Sequence, residues 1–211
     1  MIDIDGLSVG LTICEDIWHL EPAAQAKAAG AAMLININAS PFHRGKSSER
    51  LERVKSCAVA HQLPIIYVNQ VGGQDELVFD GGSFAIDAQG ELSVSAQTFI
   101  EAFPIVTVDR SSDARLAPGD TVAEREDLDA VWQALVLGMR DYVDKNGFPG
   151  VVLGLSGGID SAVTLAVAVD ALSHERVEAV MMPFRYTASM SVEDAEAEAC
   201  LLYTSDAADD P

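Results

Sequence analysis

The stretch from Val151 to Ser161, Val-Val-Leu-Gly-Leu-Ser-Gly-Gly-Ile-Asp-Ser, constrains the fold more than any other part of the chain. A short β-branched apolar run stops at a Ser-Gly-Gly turn, and a helix-favouring run from Ile159 to Leu172 follows at once. Strand, glycine turn and helix N-terminus in that order make an anion trap. The glycines let backbone N–H groups approach closely, and the helix dipole favours negative charge at that end. Ser156 and Ser161 add hydroxyl donors, and Asp160 offers a carboxylate to a phosphate-bound cation. This is not a Walker A loop, because no lysine follows the glycines. Two adjacent glycines alone would mean only a tight turn; the whole pattern between a strand and a helix favours a pyrophosphate site.

The flanking sequence extends the strand–helix alternation. Leu128 to Lys145 is amphipathic through Val131, Leu135, Val136, Met139 and Val143, and Asn146-Gly147 ends it. A further strand is expected at Val177 to Met182. Strand, helix and strand at this spacing make one turn of a doubly wound parallel sheet, with the glycine loop at the carboxyl end of its strand. Towards the N-terminus, Leu7 to Ile13, Ala32 to Asn38 and Pro64 to Asn69 read as buried strands. Between them lie an alanine-rich helix from Glu21-Pro22 to about Gly30 and a second helix to about Gln62. Ser47 or Ser48 is expected to cap that second helix, and Leu51, Val54 and Ala58 form its apolar face. After Val71 come short strands at 77–79, 83–86, 92–94 and 105–108. Residues 110–127 are polar and charged, and read as a linker.

Thirteen Lys and Arg against 33 Asp and Glu give a net charge of −20, which argues against a general nucleic-acid-binding surface. A polyanionic ligand must therefore be held locally, by loop amides and a cation. Cys14, Cys57 and Cys200 are odd in number and far apart, which suits free thiols in a reducing compartment. No apolar run is long enough for a bilayer and no signal peptide is visible, so the default expectation is a cytoplasmic protein without membrane partners.

Cys14 ends the first of these strands and precedes a turn, a position from which a nucleophile can project above a sheet. Its neighbours Glu15 and Asp16 are acidic and disfavour a thiolate, so charge alone does not mark it as activated. A small buried hydrophobe is the competing reading. His19, His43, His61 and His174 are isolated, Trp18 and Trp132 read as packing residues, and Asp75, Glu76 and Asp80 read as a solvated strand-end turn.

Several segments carry a family resemblance. The loop Ser156-Gly-Gly-Ile-Asp-Ser161 resembles that of the ATP pyrophosphatase group. Ile13-Cys-Glu-Asp-Ile-Trp18, Asn36 to Lys46 and Tyr67 to Gly81 resemble the nitrilase-type glutaminase domain of bacterial glutamine-dependent NAD synthetases, and Met182 to Thr187 resembles the segment after the synthetase loop. The resemblance implies an α/β fold: the C-terminal part of a nitrilase-like α-β-β-α sandwich over 1–110, a linker over 111–127, and the start of a doubly wound ATP pyrophosphatase domain over 128–199. It implies that Cys14 is a nucleophile for the glutamine amide, with Ser40 and Lys46 binding glutamine. Gly154, Leu155, Ser156, Gly157, Gly158, Ile159, Asp160 and Ser161 would hold ATP, with Asp160 on Mg²⁺. Ammonia from glutamine would then amidate adenylated deamido-NAD. Small-molecule substrates and a homo-oligomeric parent are the implied partners.

The resemblance also marks what the segment lacks. Nitrilase-type catalysis pairs the Cys with a Glu base and a Lys that precede it, and residues 1–13 contain neither. The expectation is a piece of a longer enzyme, inactive by itself. Residues 200–211 lose helical composition at Cys200 and read as a non-native tail.

Overall fold

Asp5 and Gly6 both take positive φ, 49° and 86°, and fold Ile2–Ile4 (β1) back on Leu7–Ile13 (β2) as an antiparallel hairpin. This is the Asp-Gly turn geometry that matches strand twist. The computed structural model describes residues 1–110 and 114–202; parts of the expected linker (111–113) and tail (203–211) lie outside the described residues. Two compact units divide the chain, residues 1–72 with 77–134, and residues 73–76 with 135 onward.

In the first unit, Cys14–Trp18 forms a 3₁₀ turn after β2, and Leu20–Ala28 (α1) leads to Met33–Asn38 (β3). Lys46–His61 (α2) then leads to Ile65–Asn69 (β4). Strands β2, β3 and β4 run parallel, with Val9 opposite Met33 and Leu34 opposite Ile65. Val71–Gln74 (β5) and Leu77–Asp80 (β6) make a separate two-stranded sheet. Phe84–Ile86 (β7) and Leu92–Ser95 (β8) return antiparallel beside β4, giving a six-stranded order β1-β2-β3-β4-β7-β8.

Strand alternation decides which face is buried. Leu34, Ile65, Tyr67, Phe84 and Ile86 meet Val54, Cys57 and Ala58 of α2 and Ala23 of α1 in one core. Tyr67 stacks on Phe84 with ring centroids 4.9 Å apart. The opposite face packs Val9 and Met33 against Ala114 and Val108. There, the short pair Val108–Asp109 (β9) and Arg115–Leu116 (β10) lies antiparallel.

Three sequence expectations shift. Helix α2 begins at Lys46 and has no side-chain cap, because Gly45 at φ 77° reverses the chain one turn early; Ser48 instead donates to Glu124 at 2.8 Å. The strand expected at 105–108 shrinks to β9, since its partner is only two residues long and Ile105 is 85% exposed. The polar segment 110–127 contains β10, whose Leu116 is buried with Ala85 and Val94.

In the second unit, Asp127–Lys145 (α3) contributes its later turns. Val151–Gly154 (β11) and Val177–Val180 (β12) pair in parallel, joined by Ile159–Leu172 (α4). This is the strand–helix–strand turn read from the sequence, with α4 bounds as expected. Leu165, Val167, Ala168, Ala171 and Leu172 bury one side of α4. The acidic segment forms Ser189–Leu202 (α5), so helix continues through Cys200, where loss of helical composition was expected.

Candidate functional site

The sequence-selected residues of the first unit gather at the carboxyl ends of β2, β3 and β4. Asn38 and Asn69 are register partners, and Cys14 follows Ile13, the last paired residue of β2. Cys14 is half-buried and takes φ 48°, a left-handed conformation that costs a non-glycine residue about 1–3 kcal/mol. The turn is held from both sides. Asp16 accepts a hydrogen bond from the Ile13 N–H at 2.9 Å, so its carboxylate braces the backbone around the thiol. Arg53, on α2, donates to the carbonyls of Ile17 (3.1 Å) and Trp18.

Ser40 follows β3. Its N–H donates to Asn69 Oδ1 at 2.9 Å, and its side chain is almost wholly buried. Lys46 opens α2, with Nζ 4.1 Å from the Trp18 ring centroid and 2.9 Å from Glu49. Trp18, read as a packing residue, thus both packs on the core and carries this cation.

Arg50 was missed by sequence reasoning. It is 3% exposed and donates to both Asp80 carboxylate oxygens (2.7 and 2.8 Å), to Ser40 Oγ (3.1 Å), and to the carbonyls of Ser40 (2.8 Å) and Pro41 (2.9 Å). Asp80 is also 3% exposed, which corrects its reading as part of a solvated turn; Asp75 and Glu76 are exposed as expected. The reason is Arg50: a carboxylate can be buried when a guanidinium fork and further donors satisfy it. The signal existed in the helical period, since Arg50 shares the buried stripe of α2 with Val54, Cys57 and Ala58.

Polar groups continue down the same face. Asn36 Nδ2 donates to Thr12 Oγ1 (3.0 Å), Asn38 Nδ2 to Asn36 Oδ1 (2.6 Å), and Asn69 Nδ2 to Gly81 O (3.1 Å). Tyr67 lies in the Thr12–Asn36 register row, and its buried hydroxyl makes no hydrogen bond of ordinary length. Burial pushes its pKa up, and the Arg50 guanidinium pulls it partway back.

A cleft of about 770 Å³ in the same unit lies beside this cluster rather than over Cys14. Asp80 and Phe42 reach it, but its two arginines are already paired, Arg44 with Asp127 at 3.0 Å and Arg125 with Asp129 at 2.7 Å.

The second unit carries the glycine loop. Leu155 is buried and its N–H donates to Val180 O at 2.9 Å, anchoring the loop to β12. Gly154 precedes it at the end of β11, and Ser156, Gly158, Ile159 and Asp160 are exposed. Ser161 Oγ donates to Gly158 O (2.8 Å), and the Ser156 and Ser161 hydroxyls lie 3.1 Å apart. Gly157 has φ 73°, and a Cβ there would stand 2.1 Å from Ser191 O, so no other residue fits without moving backbone. Among the described residues no group of three or more His, Cys, Asp and Glu could hold a metal. A cation at Asp160 would therefore draw its other ligands from phosphates and water, as Mg²⁺ commonly does.

Comparison with known proteins places the two parts. A family model described as carbon-nitrogen hydrolase matches residues 1–117, more than half the chain. The chain belongs to the carbon-nitrogen hydrolase family. A second model, NAD synthase, matches residues 131–204. Among curated relatives, a glutamine-dependent NAD(+) synthetase of Xylella fastidiosa is 46% identical over 93% of this chain, and one of Acinetobacter baylyi is 41% identical over 92%. The chain spans 36% of the length of each. The solved structure of glutamine-dependent NAD+ synthetase from Acinetobacter baumannii with adenosine diphosphate superposes with a TM-score of 0.90 and 43% identity. That match covers 95% of this chain and 38% of the other. The fold is thus a nitrilase-like α/β unit joined to the start of an NAD synthase domain, as the resemblance implied.

Proposed function

We propose that these residues form part of a glutamine-dependent NAD(+) synthetase, a ligase that amidates deamido-NAD with ammonia taken from glutamine. The observation that carries this reading is the pairing within one chain of Cys14, held at the carboxyl ends of parallel strands, with the Gly154–Ser161 loop at a helix N-terminus. Ser40 and Lys46 are the glutamine-binding residues. The Cys14 thiolate attacks the amide carbon, the tetrahedral oxyanion collapses as ammonia leaves with a proton, and water cleaves the glutamyl thioester to glutamate. At the loop, backbone N–H groups of Ser156 to Ile159 and the hydroxyls of Ser156 and Ser161 would hold the ATP phosphates, with Asp160 on Mg²⁺; within the loop itself the Ser156 and Gly158 N–H groups donate to the Ser161 and Ser156 hydroxyls. The deamido-NAD carboxylate attacks the α-phosphorus, pyrophosphate leaves, and ammonia displaces AMP from the acyl adenylate. Mg²⁺ there would neutralise charge on the departing pyrophosphate.

The resemblance implies a cytoplasmic enzyme that works as a homo-oligomer on small molecules. Among the described residues, no helix is long and apolar enough to cross a membrane. The test uses the protein encoded by the full reading frame that carries this sequence, supplied with ATP, Mg²⁺, deamido-NAD and either glutamine or ammonium. NAD, AMP, pyrophosphate and glutamate should appear together. Amidation of a different carboxylate in preference to deamido-NAD would reassign the substrate, and absence of any amidation would refute the reading.

A further inference from the structure

Helix α2 meets the Cys14 turn twice, both times at Trp18. Arg53 donates to the carbonyls of Ile17 (3.1 Å) and Trp18, the last carbonyls of the turn, which a helical end leaves for outside donors. The Trp18 ring packs against the core cluster that contains Ile17 and Leu34. Backbone and ring are thus both fixed. Lys46, the first residue of α2, lays its ammonium over that ring, 4.1 Å from the centroid. A lysine is a point charge on a flexible four-carbon stem, so of the two partners the anchored ring decides where the charge sits. The ammonium has three N–H donors and no acceptor. Glu49 takes one of them at 2.9 Å, and the lysine side chain keeps 20% of its surface exposed. The group is held without being used up.

We infer that Trp18 is a positioning residue whose ring face holds the Lys46 ammonium in place for the carboxylate of glutamine; this rests on the reading of Lys46 as a glutamine-binding residue. The carboxylate is the one anionic group of glutamine, and a cation with no acceptor selects it. A ring face suits this task because its quadrupole attracts a cation without neutralising it. Glu49 is half-exposed, and its contact with Lys46 is screened by water and holds the ammonium weakly. The Cys14–Trp18 turn then serves both ends of one substrate. Its first residue attacks the amide carbon, and its last sets the position of the charge that receives the carboxylate.

The test reads the glutamine KM and the ammonia-dependent rate in the full-length protein. Trp18→Leu should raise the KM about tenfold and Trp18→Phe, which keeps a weaker ring, about threefold, with the ammonia-dependent rate unchanged. Successively more fluorinated tryptophans placed at position 18 keep the shape of the ring and drain charge from its face. They should raise the KM stepwise, and the steps should vanish in a Lys46→Met background. A packing role would not respond to fluorination, so a KM that stays level across the fluorinated series overturns the proposal. Steps that persist in Lys46→Met overturn it as well, because the ring would then act other than through this cation. Should Trp18→Leu fail to fold, the fluorinated series decides alone. Unsubstituted protein that amidates with ammonia but never with glutamine would instead refute the underlying reading of the site, and the proposal with it.

Discussion

Arg50 and Asp80 are joined by hydrogen bonds of 2.7 and 2.8 Å from one guanidinium nitrogen to both carboxylate oxygens, with each residue only 3% exposed. Such a pair adds little net stability relative to an apolar substitute, but removing one partner strands the other charge. Asp80→Ala should therefore destabilise the protein by about 3–5 kcal/mol, measured as a shift in the urea midpoint at unchanged slope. Asp129→Ala, which loses exposed contacts to Arg125 and Gln133, should shift the midpoint far less.

Tyr67 gives a prediction in the alkaline range. Its phenol pKa is raised in the folded protein, chiefly by burial. The unfolded chain therefore loses that proton first, so the stability tied to the neutral phenol is present below about pH 10 and declines as pH rises beyond it. Tyr67→Phe should flatten this decline. Near neutral pH the same substitution should be close to neutral or stabilising, since it removes a buried hydroxyl that lacks a partner at a cost of about 1–3 kcal/mol. Denaturation series at several pH values on both proteins check both claims.

Much of this architecture was legible in the sequence because it rests on local signals. The α4 bounds, the strand at Leu7–Ile13 and the turn after Cys14 follow from apolar runs and glycine punctuation. The β1–β2 hairpin was also written locally, in Asp5-Gly6 between two isoleucine-bearing runs, and went unread. Arg50 and Asp80 are a different case. They lie 30 positions apart, and a charged residue on an apolar helical stripe becomes intelligible only when its counter-charge is folded against it. Ser40 and Lys46 were named by resemblance alone; what orients Ser40 is a tertiary contact.

Cysteine reactivity should separate the three thiols. Cys57 is fully buried, and burial pushes its pKa up, while Cys200 is exposed and Cys14 half-buried. In native protein, iodoacetamide should label Cys200 and Cys14, and label Cys57 only at the rate of unfolding. Peptide mapping after timed quenching reads the order directly; early modification of Cys57 would contradict the packing of α2 on the sheet.

Gly157→Ala tests the loop. A left-handed φ of 73° and a Cβ 2.1 Å from Ser191 O leave the new methyl nowhere to go. Substitution should cost more than about 1 kcal/mol locally and weaken ATP binding by about tenfold or more, read by calorimetry in the presence of Mg²⁺. Asp160→Ala should weaken binding with Mg²⁺ and have little effect without it, because its proposed role is to the cation.

On the proposed function, Cys14 supplies the nitrogen that the Gly154–Ser161 site uses. Cys14→Ala in the full-length protein tests it most directly, by following NAD formed from deamido-NAD with glutamine and, separately, with ammonium. Glutamine-dependent synthesis should disappear while ammonium-dependent synthesis survives. Glutamine-dependent synthesis that persists in Cys14→Ala would contradict it.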